Sequence, residues 1–317
     1  MRNPPSFVHT NNEGEKKTMR QAENRVRIEG IVSEIDIHET SFKRDGETKD
    51  AIGGQITIRV KQEINGKDLV LEVPVQCFAT KLTRKGTPNP AYESIQKATD
   101  LISIAACGNE EEADCIRITN GDLKMNEYYG QSGNLVSFPR VHSSFFQKVR
   151  KDELKPEATF ICQFMVTNKA EELDRNGDPT GRYIITGALP QYGDAVDVFK
   201  FYCESEGVIN AVSSYWEVGD TVQAHGKLKF TSTTESITEE SGFGDAIVRE
   251  RTVSVSEPII TGGSQDPLVE ELCYTNEEIK EGLARRKAKL EGLKNRNKTI
   301  ASAKAPKQNA DYSDFGF

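Results

Sequence analysis

Apolar and polar residues alternate from the start of the first folded segment. In residues 25–37, Val26 and Ile28, then Ile31, Ile35 and Ile37, interleave with charged neighbours as in a half-buried strand. Gly30 and the change of phase beside it mark a bulge. Residues 38–54 lose the alternation and read as a charged loop. The period returns at 55–61 through Ile56, Ile58 and Val60. Asn65-Gly66 then gives a strong hairpin signal leading into a third strand over 69–78. After a Gly/Pro loop at 85–90, the spacing predicts a short helix over 91–98, a fourth strand over 101–107 and a fifth over 115–125. Residues 126–150 fall outside this set, as an added hairpin (133–141) or an aromatic-rich connector.

The order then repeats. Strands are predicted at 157–168, 182–189 and 195–203, with a turn at 174–177 and a helix over 208–215. The next strand carries Val222, Ala224, Gly226 and Leu228, with Gly226 relieving crowding where a barrel strand must bend. A polar loop at 231–244 precedes a last strand at 251–260. Strand, hairpin, helix and two further strands is the order of an OB barrel. The expected fold is therefore mainly β: two OB-type, Greek-key, five-stranded barrels with a C-terminal helix and a disordered tail. Thr275 and Glu278 form a capping box for that helix, whose stripe of Ile279, Leu283, Leu290 and Leu293 is interrupted by Arg286 and weakened by Gly282 and Gly292. The expected divisions are a flexible arm at 1–24, barrels at 25–150 and 151–265, a basic helix at 266–298, and a flexible linker with a terminal tip at 299–317.

Charge changes how the two halves are weighed. The formal net charge of −8 is unusual for a nucleic-acid binder, but it is unevenly spread. Residues 25–150 hold 17 Lys/Arg against 18 Asp/Glu, a net of −1; residues 151–265 hold 10 against 19, a net of −9. An electrostatic partner such as a phosphate backbone would favour the first half. The six cysteines are scattered without a C-x-x-C, and the chain holds only four histidines, so neither a zinc site nor a disulfide framework is expected. No P-loop, G-x-S-x-G or H-E-x-x-H motif occurs. A non-enzymatic protein without metal or cofactor is the expectation. No stretch approaches the roughly 18 apolar residues of a membrane span, and the N-terminus lacks a signal-peptide core; a cytoplasmic protein without membrane association is expected.

Two segments carry a family resemblance. A helix ending in Tyr215-Trp216, a turn at Gly219-Asp220 and a strand with Val222, Ala224, Gly226 and Leu228 resemble the corresponding stretch of single-stranded-DNA-binding proteins. The terminal Asp314-Phe315-Gly316-Phe317 resembles the acidic tip of the same proteins. The overall architecture is most similar to bacteriophage-type members, which implies the host cytoplasm as the place of action. The chain departs from the bacterial pattern of one barrel per chain and a tetramer, since two barrels here supply valency within one chain; homo-oligomerisation is left open. The tip also holds only two acids.

An OB groove binds single strands by stacking bases on aromatics and lining the backbone path with cations. In the first barrel the candidates are Phe42, Lys43, Arg44 and Lys49 in the charged loop, Arg59 and Lys61 on the second strand, Lys81, Arg84 and Lys85 after the third, and Tyr92 at the start of the helix. Phe78 follows the apolar side of its strand and reads as core. In the second barrel Arg182, Lys200, Trp216, Lys227 and Lys229 are candidates for a secondary DNA contact or an interface. The tip residues Asp311, Tyr312, Asp314, Phe315 and Phe317 form a short ligand for replication or recombination proteins. The basic run from Arg285-Arg286-Lys287 to Lys298 reads either as a backbone contact or as a solvated helix face. The expected function is coating and protecting single-stranded DNA during replication, recombination and repair. The rivals are a DNA-annealing or recombination mediator and a structural β-protein of a phage particle.

Overall fold

The computed structural model describes residues 19–44, 46–130, 132–239 and 247–304. Strands β1 (Asn24–Arg44), β2 (Glu47–Ile64) and β3 (Lys67–Thr80) form an antiparallel meander. Asn65 and Gly66, at φ of 50° and 76°, supply the left-handed pair that a tight hairpin turn requires. Helices α1 (Pro90–Ala98) and α2 (Ile104–Cys107) follow, then β4 (Cys115–Tyr129), β5 (Leu135–His142) and β6 (Gln147–Val149). β5 lies parallel to β3 and antiparallel to β4, and β4 returns to β1, closing a ring in the order 1-2-3-5-4.

The second half repeats it. β7 (Glu157–Leu173), β8 (Pro179–Pro190) and β9 (Val196–Cys203) form a meander; α3 (Glu206–Tyr215), β10 (Thr221–Glu239) and β11 (Ile247–Gly263) follow. β11 is parallel to β9 and antiparallel to β10, which returns to β7. The fold is mainly β, as expected, with a C-terminal helix α4 (Asn276–Lys304).

Three assignments change. Residues 101–107 hold no strand: Ser103 caps α2, its hydroxyl accepting from the Ala106 N–H at 3.3 Å, and Gly108 at φ 85° ends it. These are helix start and stop signals that the apolar run concealed. The fourth and fifth ring strands are therefore β4 and β5, so the segment from 126 to 142 closes the first ring. The supposed loops at 38–54 and 231–244 are in large part extensions of strands. β1 and β2 pair without interruption from Ile37↔Gly54 to Arg44↔Glu47, and β10 continues to Glu239 against β11. From Glu47 to Asp50 and across β1 from His38, the first arm runs past the buried Ala51 and Ile52, so burial does not enforce hydrophobic alternation there.

The rings share one sheet. β1 pairs with β7 from Asn24↔Cys162 to Glu29↔Glu157, and one hydrophobic cluster runs through both rings. Phe160, Phe164 and Phe201 stack within it, the last two with centroids 4.5 Å apart. A smaller cluster under α1 joins Ile52, Cys77, Ala79, Tyr92 and Ile95. Met19–Glu23, expected in a mobile arm, is bound to the second ring: Ala22 N–H donates to Pro190 O at 3.0 Å, and the Arg20 guanidinium donates to Gln163 Oε1 at 2.9 Å and Leu272 O at 2.7 Å. Residues 1–18 lie outside the described residues.

The capping box forms as expected, Glu278 N–H donating to Thr275 Oγ1 and Thr275 N–H to Glu278 Oε2. Gly282 has a packing role: a Cβ there would sit 2.2 Å from Val196 Cγ2, so glycine lets the helix lie this close to β9. Of the basic run, Arg285 pairs with Asp194 at 2.9 Å and Arg286 pairs with Glu127, tying α4 to both rings. No helix among the described residues is long and apolar enough to cross a membrane.

Gly226 meets the crowding expected of it, since an added Cβ would lie 1.9 Å from Ile259 O. Gly226→Ala is expected to lower stability by about 1–3 kcal/mol, read as a shifted urea midpoint; an unchanged midpoint contradicts this packing.

Candidate nucleic-acid interface

Strand register decides which side chains face outward. On β2, Ile56, Ile58 and Val60 point into the first ring, so Gln55, Thr57, Arg59 and Lys61 point out. The same parity along the arm puts Lys49 on the outer face, opposite Phe42, and Gly53 opposite Phe78. Phe42 and Phe78 meet with ring centroids 6.0 Å apart. Phe78 is 55% exposed, so its assignment to the core is corrected. Its ring lies over Gly53, where a Cβ would come within 2.9 Å of Phe78 Cδ2.

The β3–α1 loop closes beside this pair. Lys81 N–H donates to Asp50 O at 2.9 Å, Thr83 N–H to Thr87 O at 2.8 Å, and the Asn89 amide to Thr80 O at 2.8 Å. Loop and arm enclose a cleft of about 440 Å³ lined by Phe42, Lys49, Lys81, Leu82 and Arg84 among others. Lys81, Arg84, Lys85 and Lys43 are exposed, and none of them is ion-paired among the described residues. Lys49 stands 3.9 Å from Glu47, a loose contact. Arg44 ends β1, and its side chain lies outside the described residues. The structure thus brings four of the predicted residues, Phe42, Lys49, Lys81 and Arg84, to one cleft that Glu47 and Asp50 also line, with Lys85 adjoining; Lys43 follows Phe42 on the opposite face of β1.

Others are committed elsewhere. Arg59 donates to Glu72 at 2.6 Å and to Glu110 at 3.1 Å, and Lys61 donates to Glu110, so these two cations serve neighbouring carboxylates. Tyr92 is 6% exposed on the buried face of α1 and its hydroxyl donates to Glu39 at 3.0 Å; it is a core residue. Trp216 is also core, edge-on to Phe164, with its indole N–H donating to Ser264 O at 2.8 Å. Its position at a helix end before a Gly turn looked the same in sequence as an exposed aromatic would. In the second ring Arg182 and Lys229 are held by Glu204 and Glu257, and Lys227 donates to Glu63 O, clamping the β2–β3 hairpin. Lys200 alone of that group is exposed without an ion pair among the described residues. The tip residues Asp311, Tyr312, Asp314, Phe315 and Phe317 lie outside the described residues.

The outer face continues onto β5, which the sequence had placed outside the barrel. Gln76 of β3 is level with His142, and Arg140 and Phe138 follow on the same face. The Arg140 guanidinium lies 5.2 Å from the Phe138 ring centroid, and Tyr128 meets Phe138 edge-on at 6.4 Å. Leu135–His142 carries no clean apolar–polar alternation, and only Val141 is buried in it, so the pattern offered little sign of the strand. Between the rings lies a larger cleft of about 880 Å³, within the ~300–1,000 Å³ range of ligand sites. Its walls include Gln55, Pro74 and Arg140 from the first ring and Thr186, Lys200 and Tyr202 from the second.

A sequence model for a family described as YorF matches residues 22–296. The chain belongs to the YorF family. No curated protein matches this YorF-family chain in sequence. Among solved structures it is similar to the wild-type single-stranded DNA binding protein from Thermus aquaticus, with a TM-score of 0.47 and 10% identity over 81% of this chain and 99% of that one. A deletion mutant of the Thermus protein gives a TM-score of 0.44 and 12% identity over 80% and 98%.

Burial pushes the His142 imidazole down from 6.5 to about 4, with Lys124 adding to the effect, so the ring is neutral on the outer face at neutral pH. The unfolded chain then binds a proton that the native state refuses between pH 6.5 and about 4. His142 therefore costs no stability above that window, and stability falls as pH drops through it. His142→Gln is expected to reduce the stability lost between neutral pH and mild acid, measured by chemical denaturation at both; an identical loss in both proteins contradicts the assignment.

Proposed function

We propose that this YorF-family protein is a non-enzymatic binder of single-stranded DNA, seating the strand on the outer face of the first ring with little sequence preference. The observation that carries this reading is the Phe42–Phe78 pair, Phe78 exposed and Phe42 half-buried, beside a cleft lined by Lys49, Lys81 and Arg84, where Lys81, Arg84 and the adjoining Lys85 have no ion pair among the described residues. Exposed aromatics offer stacking faces to any base, and the cations answer the phosphates. Phe78, resting on Gly53 at the surface, contributes little to the core, so its exposure is better explained by a ligand than by packing. The role that follows is coating and protecting single strands during replication and recombination, with residues 311–317 recruiting other proteins.

Fluorescence anisotropy with labelled oligo(dT) in rising salt tests the reading. Submicromolar binding that weakens with salt is expected. Replacing Lys81, Arg84 and Lys85 together by Ala should lower affinity and reduce the slope of log K against log salt by about 2. Phe42→Ala and Phe78→Ala should each cost about 1–3 kcal/mol without changing that slope. No binding at low salt, or a triple variant that binds like the parent, would end the proposal.

Removing residues 311–317 should leave or strengthen DNA binding while abolishing capture of replication proteins. Loss of DNA binding on that deletion would mean the tip has been misread.

A further inference from the structure

We infer that the cleft between the rings is a second section of the same single-strand site, in which Arg140 and Lys200 take phosphates from opposite walls. The inference rests on the reading of the first ring as a single-strand binder. Arg140 Nε is buried with no hydrogen-bond partner, and among the described residues no carboxylate pairs with this guanidinium. A buried cationic donor left unsatisfied is costly, and an arriving anion would relieve that cost. The same guanidinium rests on Phe138, which sets its plane and adds an apolar surface beside the charge. Across the cleft Lys200 stands on the outer face of β9, exposed, in a half of the chain whose other candidate cations are committed to protein partners.

The remaining lining suits a strand. Gln55 supplies a neutral amide, and Ser254 and Ser256 of β11 supply hydroxyls, all able to bond to bases or sugars without charge. The cleft also connects to the first section. Lys49 and Gln55 lie on the same face of β2, roughly 20 Å apart along the strand at ~3.3 Å per residue, with Phe78 between them on β3. Beyond Gln55 an adjoining cleft of about 340 Å³ is lined by the carboxylates of Glu34 and of Glu72, the latter already paired with Arg59. A polyanion following the face is turned away from these carboxylates and towards Arg140 and Lys200. The second ring then forms a wall of the site and is more than an organiser of the first.

Because the two sections are separated along β2, oligonucleotide length distinguishes them. Anisotropy titrations would compare a short oligo(dT), long enough only for the Phe42 section, with one three times its length. Lys200→Ala is expected to weaken the long oligonucleotide several-fold and lower its salt slope by about 0.7, leaving the short one unchanged. Arg140→Ala should give the same pattern, and Arg140→Lys should recover only part of the loss because it keeps charge without the planar fork. Thermal melts of all three variants check that the fold is intact. Parent-like binding of the long oligonucleotide by Lys200→Ala and Arg140→Ala, while the Lys81/Arg84/Lys85 variant fails, overturns the inference and leaves the proposed function standing. Equal loss of the short oligonucleotide also overturns it, since the cleft would not be a separate section. Failure of the parent protein to bind either length removes the functional reading itself.

Discussion

The pairing of β1 with β7 is the constraint on which the arrangement depends. Six residues of each strand, Asn24–Glu29 and Glu157–Cys162, hydrogen-bond antiparallel, while β1 also pairs with β2 and β4 in its own ring. The side chains at the seam complete the ladder. Asn24 exchanges two bonds with the Leu123 backbone, and Gln62 exchanges two with Ala158, so amides stand in where strand partners run out. At the far end Glu29, 2% exposed, accepts from Arg117 and from the Lys155 N–H. Burial alone would raise this carboxyl, but those donors hold it below the usual carboxylate range. Because the seam is a continuous sheet over a continuous core, the two rings keep a fixed relation, and a cleft between them can be shaped.

That fixed relation also explains where the charges go. The second half is rich in carboxylates, and its cations are spent locally: Arg182 and Lys229 on Glu204 and Glu257, Lys169 on Trp216 O and Glu217. In the first half Arg59, Lys61 and Arg117 are likewise consumed. Among the described residues, the cations without an ion pair include Lys43 on the arm, Lys81, Arg84 and Lys85 in the loop, and Arg140 and Lys200 on the two sides of one cleft, alongside others such as Lys67, Lys97 and Arg175. The overall net charge of −8 therefore says little about the local surface that a polyanion would meet. The α4 helix fixes both rings through Arg285, Arg286 and the Gly282 contact, and it also exposes Lys287 and Lys289, which have no ion pair among the described residues.

How much of this the sequence could show follows from where burial enforces a pattern. β7, β8, β9 and α3 were legible because apolar residues mark their inward sides, as Ala158, Phe160 and Cys162 do in β7 and Phe199, Phe201 and Cys203 in β9, and because Ser205 caps α3. The β1–β2 arm was read as a loop because, outside Ala51 and Ile52, its residues are mostly polar and pair as strands with little hydrophobic signature. Residues 101–107 failed for the opposite reason: an apolar run suits strand and helix equally, and the Ser103 cap and Gly108 stop were the deciding marks. Within the site, cations were easier to place than to judge. Lys81 and Arg84 were found by their position after a strand, but whether a cation is free depends on carboxylates distant in sequence, as Glu110 is from Arg59. Tyr92 and Phe78 exchanged roles because a helix covers one face of the β2–β3 extension and leaves the other open, and only the tertiary arrangement decides which.

Hydrogen exchange followed by mass spectrometry, with and without oligo(dT), tests most directly whether the outer face of the first ring is the path of a single strand. Slowed exchange is predicted in the β1–β2 arm, in the loop from Lys81 to Asn89 and in β5, with α3 and the β1–β7 seam unchanged. Protection confined to α3, or no change anywhere at saturating oligonucleotide, would contradict the account.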